Sequence, residues 1–198
     1  LELSPGDDIA NLTSSLNPGD QVILKGGTYD LTSALYWYGD GTAEAPIVIK
    51  AADGEEPIIV LHADPDSNWS DGQILQIYEA SYIEVSGLTF MSDDWATTTD
   101  YLEGVEIYGS SHISFTDITI ADVSSHLLYL SGNNEGHSFE RVRLQNTTMG
   151  HGMYAGCSDA SCFTKDSTFD TLWVSGVGHQ YGWGAYFAHG AQNNTLKN

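Results

Sequence analysis

The residues best suited to chemistry are tyrosines that recur along the chain at a regular interval. Leu75 and Ile77 alternate with Gln76 and Tyr78, and Val105 and Ile107 alternate with Glu106 and Tyr108. In an extended strand that alternation puts the apolar residues on one face and the tyrosines on the other. The same reading places Tyr129, Tyr154 and Tyr186 outside. Five rings stacked at strand spacing would pave one outer surface. Sugar rings stack on such surfaces while the phenol hydroxyls supply hydrogen bonds. Two other uses of the face stay open: a ring ladder that stiffens the sheet, or a packed subunit contact.

Histidines accompany the tyrosines. His126 and His151 precede Tyr129 and Tyr154 by three residues each, and His179 precedes Tyr186 by seven. A His beside a Tyr could serve as base and acid for proton abstraction next to a uronic carboxylate. The plainer reading is a hydrogen-bonded imidazole in a Gly-rich turn. Arg143, with Arg141 nearby, could neutralise a substrate carboxylate, although an inward Val142 puts both on a different strand from the tyrosines. Asp93, Asp94, Asp100 and Glu103 lie in the longest insertion between similar segments. Clustered carboxylates of this kind could bind calcium or act as a glycosidase pair. No EF-hand spacing is present, and solvated loop carboxylates are the plainer alternative.

Composition limits the partners. Twenty-seven acidic residues face six basic ones, for a formal net charge of -21. Nucleic acid and anionic membrane surfaces both need clustered Lys and Arg, so neither is the main partner. A polyanionic substrate would meet the same repulsion. Apolar content of 41% is that of a folded protein, and 21 glycines against five prolines point to many tight turns. No run of about 18 apolar residues offers a membrane-spanning helix. A chain that begins at Leu1 fits a mature form without its signal peptide. Asn11, Asn68, Asn146 and Asn193 each open an acceptor sequon for glycosylation. Cys157 and Cys162, five apart in a Gly/Ser/Asp stretch, suit a small disulfide loop better than a metal site. Together these predict an extracellular protein.

The elements that must position these residues read as a repeat. Gln76 to Ile83 aligns with Glu106 to Ile113 thirty positions later, and Val85, Leu88 and Phe90 then fall on Phe115, Ile118 and Ile120. The pattern returns at Phe139, Val142 and Leu144, and weaker copies run from Met153 to Phe169 and from Ala185 to Leu196. Short strands repeating every 24 to 32 residues, with turns absorbing the length changes, describe a β-solenoid rather than a sandwich. The fold expected is therefore all-β: a right-handed single-stranded parallel β-helix forming one domain over residues 1–198. Ile9, Leu12 and Leu16 share a helical face, which predicts a capping helix over 7–16. Entry strands and a first coil follow over 18–61, with repeated coils over 73–198.

The segments PGDQVILKGGTYDL (Pro18 to Leu31) and GTAEAPIVIKAADGEEPIIV (Gly41 to Val60) resemble the N-terminal end of parallel β-helix polysaccharide lyases of the alginate lyase and chondroitinase B group. The resemblance implies a capped end, a Gly-rich turn at Gly26-Gly27 and strands opened by Pro46 and Pro57. It covers about a fifth of the chain and concerns architecture. Lyases of that group use a Lys base, an Arg and a calcium ion held by acidic residues, and no motif here matches those positions. The implied function is a carbohydrate-active β-helix that binds or cleaves a polysaccharide, lyase- or glycosidase-like. The alternative is a self-assembling structural β-solenoid, glycosylated and stacked end to end into an oligomer or filament. A binding module without chemistry is a third reading.

Overall fold

A computed structural model of the chain describes residues 1–10, 12–13, 15–62, 72–93, 101–157, 161–178 and 182–198. A short strand, β1 (Glu2–Leu3), opens the fold. Successive circuits then each contribute three strands: β2 (Gln21–Leu24), β3 (Gly27–Leu31) and β4 (Leu35–Trp37), then β5 (Ile47–Ala51), β6 (Pro57–Leu61) and β7 (Gly72–Tyr78). The next circuits are β8 (Ile83–Ser86), β9 (Thr89–Ser92) and β10 (Leu102–Tyr108), then β11 (Ser114–Thr116), β12 (Thr119–Val123) and β13 (Leu128–Ser131). Two further circuits follow, each with one long strand: β14 (Asn134–Glu135), β15 (Ser138–Thr147) and β16 (Met153–Ala155), then β17 (Thr164–Lys165), β18 (Thr168–Val177) and β19 (Ala185–Phe187). The last pair is β20 (Ala191–Gln192) and β21 (Thr195–Lys197).

All pairings between these strands are parallel and join one circuit to the next. Strands β4, β7, β10, β13, β16 and β19 stack into a six-stranded sheet, and β14, β17 and β20 into a three-stranded one. The rest form a twelve-stranded sheet whose two runs are joined where β15 and β18 pair along their full length. This is a parallel β-helix.

Inward side chains fill the tube in columns. Trp37, Ile77, Ile107, Leu130, Ala155 and Phe187 form one column beneath the six-stranded sheet. Leu35, Leu75, Val105, Leu128, Met153 and Ala185 form its neighbour. Opposite them, Val85, Phe115, Phe139, Phe169 and Leu196 share a register. Phe139 stacks on Phe169 at 4.9 Å and meets Phe115 edge-on at 5.6 Å. The repeat read from the sequence is thus the stacking repeat of the core.

The corners are set by backbone conformation. Tyr82, His112, Gly136, Asp166 and Asn193 follow matched residues of successive circuits, and all have φ between 52° and 71°. A second corner stacks Gly87, Asp117, Arg141, Thr171 and Asn198, all left-handed. Non-glycine residues are uncommon in this region. Side chains support them here: the Tyr82 and His112 rings stack at 4.5 Å, and Arg141 grips Asp117 through two hydrogen bonds of 2.7 and 2.8 Å. His137, buried behind the first corner, accepts the Ile113 N–H at Nδ1 and lies 3.1 Å through Nε2 from Asn134 Oδ1. Burial, with the His112 charge nearby, pulls its pKa down to about 3.

The expected capping helix over 7–16 is not formed. Among the described residues of that stretch the backbone turns, with Leu12 N–H bonded to Ile9 O and Leu16 N–H to Thr13 O. Side-chain hydrogen bonds hold the segment as turns tied to its surroundings. Asp8 Oδ1 takes the Ala10 N–H, Asp7 Oδ2 takes the Ser4 N–H, and Thr13 Oγ1 takes the Tyr38 N–H. The apolar spacing still does its work, since Ile9 and Leu12 are buried and Leu16 packs against the core.

Two expected outcomes follow from the packing. Phe139→Ala removes a ring held between two others and should cost about 3–5 kcal/mol, read from the denaturant midpoint. A loss below about 1 kcal/mol would show that the ring column is not a core element. His137 is neutral in the fold and has an ordinary pKa of 6.5. Its contribution is therefore complete above pH 6.5 and is lost as pH falls toward about 3. The difference in stability between the parent and a His137→Gln variant should shrink over that window, and a difference flat with pH would contradict the assignment.

Candidate functional site

The outer face of the six-stranded sheet gathers most of the predicted residues, in three rows that run from circuit to circuit. The central row is Tyr36, Gln76, Glu106, Tyr129, Tyr154 and Tyr186. Three residues earlier on each strand or its lead-in, past a one-residue break in the ladder, lie Gln73, Glu103, His126, His151 and Trp183. Two residues later, Tyr78 pairs with Tyr108, and Ser131 follows them.

This register corrects the expectation of one five-tyrosine column. Tyr129 lies beside Glu106, and Ser131 occupies the place beside Tyr108. Tyr78 and Tyr108 stack parallel at 4.9 Å. Tyr129, Tyr154 and Tyr186 continue separately, with centroids 5.4 and 5.3 Å apart. The corner decides the phase. Glu79, Gly109, Gly132 and Gly156 all leave their strands with positive φ, and Gly132 sits so close over Gly109 that a Cβ there would lie 3.1 Å from its N. Aligning the phrase Gly109-Ser110 with Gly132-Asn133-Asn134, one residue longer, would have revealed the shift.

The histidines are built into this face. His151 donates its backbone N–H to His126 Nδ1 at 3.0 Å, and Trp183 donates its own to His151 Nδ1 at 3.0 Å. The two imidazoles stack at 5.0 Å, and His126 stacks on Tyr154 at 5.1 Å. An Nδ1 that accepts a backbone N–H fixes the neutral tautomer protonated at Nε2. Burial, then the neighbouring His151, pulls the His126 pKa down to about 4. Burial, helped by Glu103 and Glu106, pushes the Tyr129 phenol up to about 12. At neutral pH the face thus presents uncharged imidazole and phenol. Below Tyr129, a cavity of about 500 Å³ is lined by Glu79, Glu106, Tyr108, Tyr129 and the disulfide of Cys157 and Cys162. Glu106 accepts from Gln76 Nε2 at 2.5 Å and from the Ser131 hydroxyl.

Other predicted residues lie elsewhere. Arg143 is on β15 of the twelve-stranded sheet, with its guanidinium 4.8 Å from the centre of the Trp173 ring. Asp93 Oδ2 is 2.6 Å from His62 Nδ1, whose Nε2 is 2.7 Å from Asp30 Oδ1. Hydrogen bonds to Asp30 and then Asp93 raise the His62 pKa. Glu103 stands on β10, in the other sheet. Among the described residues there is no cluster of three or more His, Cys, Asp or Glu placed to hold a metal. Asn146 Nδ2 bonds Asp122 at 2.8 Å and Asn193 Nδ2 bonds Asp166 at 3.2 Å, both asparagines at exposed left-handed corners. His179, Asp94, Asp100, Asn11 and Asn68 lie outside the described residues.

Sequence reasoning missed Trp183, Glu106 and His62 as members of clusters. Trp183 was legible as the Trp-Gly counterpart of His151-Gly152, each three residues before a tyrosine of the central row. His62 had no such signal, because its partners are about thirty residues away on either side.

No family model matches the chain, and no curated protein matches it. Solved structures do. A pectate lyase, Pel9A, superposes with a TM-score of 0.67 over 83% of this chain at 16% identity, but this chain covers only 41% of that one. An alginate lyase from Paenibacillus sp. str. FPU-7 superposes with a TM-score of 0.57 at 14% identity, covering 98% of this chain and 75% of that one. A rhamnogalacturonan lyase follows at 0.50 and 15% identity, covering 91% and 56%. This chain thus has the parallel β-helix fold of those polysaccharide lyases, and spans less than half the length of Pel9A.

Proposed function

We propose that this chain is an extracellular carbohydrate-binding β-helix that holds a polysaccharide along the outer face of its six-stranded sheet. The observation that carries the reading is the continuous aromatic surface of Tyr129, Tyr154 and Tyr186 flanked by His126, His151 and Trp183. Trp183 is 60% exposed and Tyr186 39%, so the far end of the row offers ring surface to a ligand. Sugar rings present C–H faces that pack on such rings, and hydroxyls that meet phenol and imidazole N–H groups. The Cys157–Cys162 disulfide supports an oxidising, extracellular setting. Solved proteins with this fold include lyases of pectate, alginate and rhamnogalacturonan, which agrees with a glycan ligand.

Binding is better supported than cleavage. Lyase chemistry on a uronate needs a cationic group to neutralise the carboxylate and a base to take the proton. The strands of the six-stranded sheet carry no Lys or Arg, and Arg143 is committed to Trp173 on another sheet. His126, with a pKa near 4, is a weak base whose Nδ1 is already used.

The test is retention on immobilised polysaccharides with Tyr154→Ala and Trp183→Ala variants. Each should weaken retention at least about tenfold, the equivalent of about 1.4 kcal/mol, while circular dichroism stays unchanged. Retention equal to that of the parent protein would make the aromatic row purely structural and end the binding reading.

A further inference from the structure

We infer that the glycan bound here is one bearing protonated amino groups, a deacetylated hexosamine polymer, and that the face rejects polyuronates. This rests on the carbohydrate-binding reading above and names its substrate class.

The argument starts from which charges share the aromatic face. Glu103 and Glu106 stand on β10 within the two rows that hold His126 and Tyr129, and both carboxylates raise the Tyr129 phenol pKa. Glu79 lines the same cavity as Glu106, Tyr108 and Tyr129. Its charge is also the largest influence on Tyr78. The six cations of the chain are all elsewhere. Lys25, Lys50, Arg141, Arg143, Lys165 and Lys197 lie on or beside strands of the other two sheets. Four of them are engaged there: Lys25 with Glu2, Arg141 with Asp117, Arg143 with Trp173 and Lys165 with Glu135.

Carboxylates alone would be a solvated patch. Their place beside the Tyr108 and Tyr129 rings gives them direction, because an ammonium gains from an aromatic face and a carboxylate at once. A uronate gains from neither, since its charge would approach three glutamates with no cation to receive it. A neutral glycan gains the stacking but not the charge. The cavity of about 500 Å³ beside Tyr129 is large enough for a sugar unit, with Glu106 on its wall fixed by Gln76 and Ser131. Fixed carboxylates need no reorganisation on binding, which favours recognition over a merely diffuse attraction. The net charge of -21 adds long-range attraction for a polycation and repulsion for a polyanion.

The experiment compares three hexasaccharides by calorimetry with the intact chain: β-linked glucosamine, its neutral glucose counterpart, and galacturonate. The glucosamine oligomer should bind at least about tenfold tighter than the glucose oligomer at low salt. That margin should shrink as sodium chloride rises to several hundred millimolar, because screening acts on the charged component alone. Galacturonate should not bind. Glu79→Gln and Glu103→Gln should each reduce the glucosamine margin over the glucose oligomer several-fold. Tyr154→Ala should weaken both. If the glucosamine and glucose oligomers bind equally, with no salt dependence, the amino-sugar inference is overturned and the binding reading stands. Galacturonate binding as well as glucosamine overturns it too. If none of the three binds and Tyr154→Ala changes nothing on immobilised polysaccharides, both readings fall together.

Discussion

Parallel strands stacked circuit upon circuit share their hydrogen bonds with the circuit above and below, and every corner must therefore be turned at the same point of each circuit. The left-handed residues show this constraint directly. Tyr82, His112, Asp166 and Asn193 have little in common chemically, yet their φ values lie within a few degrees of one another. Each adopts a conformation that costs a non-glycine residue energy, and the ladder on both sides holds it there. Side-chain contacts between circuits, such as the Arg141–Asp117 pair and the Tyr82–His112 stack, add to that hold. Once corners are fixed, inward residues have no choice but to stand in columns, which is why the core reads as ladders of Phe, Ile and Leu.

The same constraint builds the outer face. A side chain repeated at one register position meets its own kind about one strand spacing away, so aromatic rings stack without any further device. Tyr129, Tyr154 and Tyr186 form such a set, and so do Tyr78 and Tyr108. The histidine ladder differs in kind. His126 and His151 each use Nδ1 to accept the backbone N–H of the next circuit, which locks the rings upright against the tyrosines. Burial, then the neighbouring His151, depresses the basicity of His126, and the ring serves as a support for the aromatic surface. The face is consequently rigid, uncharged in its rings and negative in its flanks, a combination suited to recognising a ligand by shape and charge.

Acid acts in opposite ways on different histidines of the molecule. His137 and His126 are neutral in the fold because burial disfavours their charged forms. His62 is the opposite case: flanked by Asp30 and Asp93, it favours the imidazolium that can donate to both. Mild acid thus strains the core-side histidines while strengthening a surface tie between three circuits.

How much of this the sequence determined depends on the range of the interaction. The repeat was legible because a solenoid writes its packing into the chain. Val85, Phe115 and Phe139 are apolar for the same reason and recur at circuit length. The outward placing of the tyrosines was legible too, since strand alternation is a local property. The helix expected over 7–16 did not form: the segment is held as turns, with Asp8 bonded to Ala10 and Thr13 bonded to Tyr38 in the circuit that follows. The tyrosine register needed the tertiary structure, because Tyr129 stands two residues before the place beside Tyr108, and only the close stacking of Gly132 over Gly109 decides that phase. The Asp30–His62–Asp93 tie was invisible for a related reason. Its members belong to different circuits, and nothing but the circuit length, fixed by the stacking itself, brings them within hydrogen-bond reach.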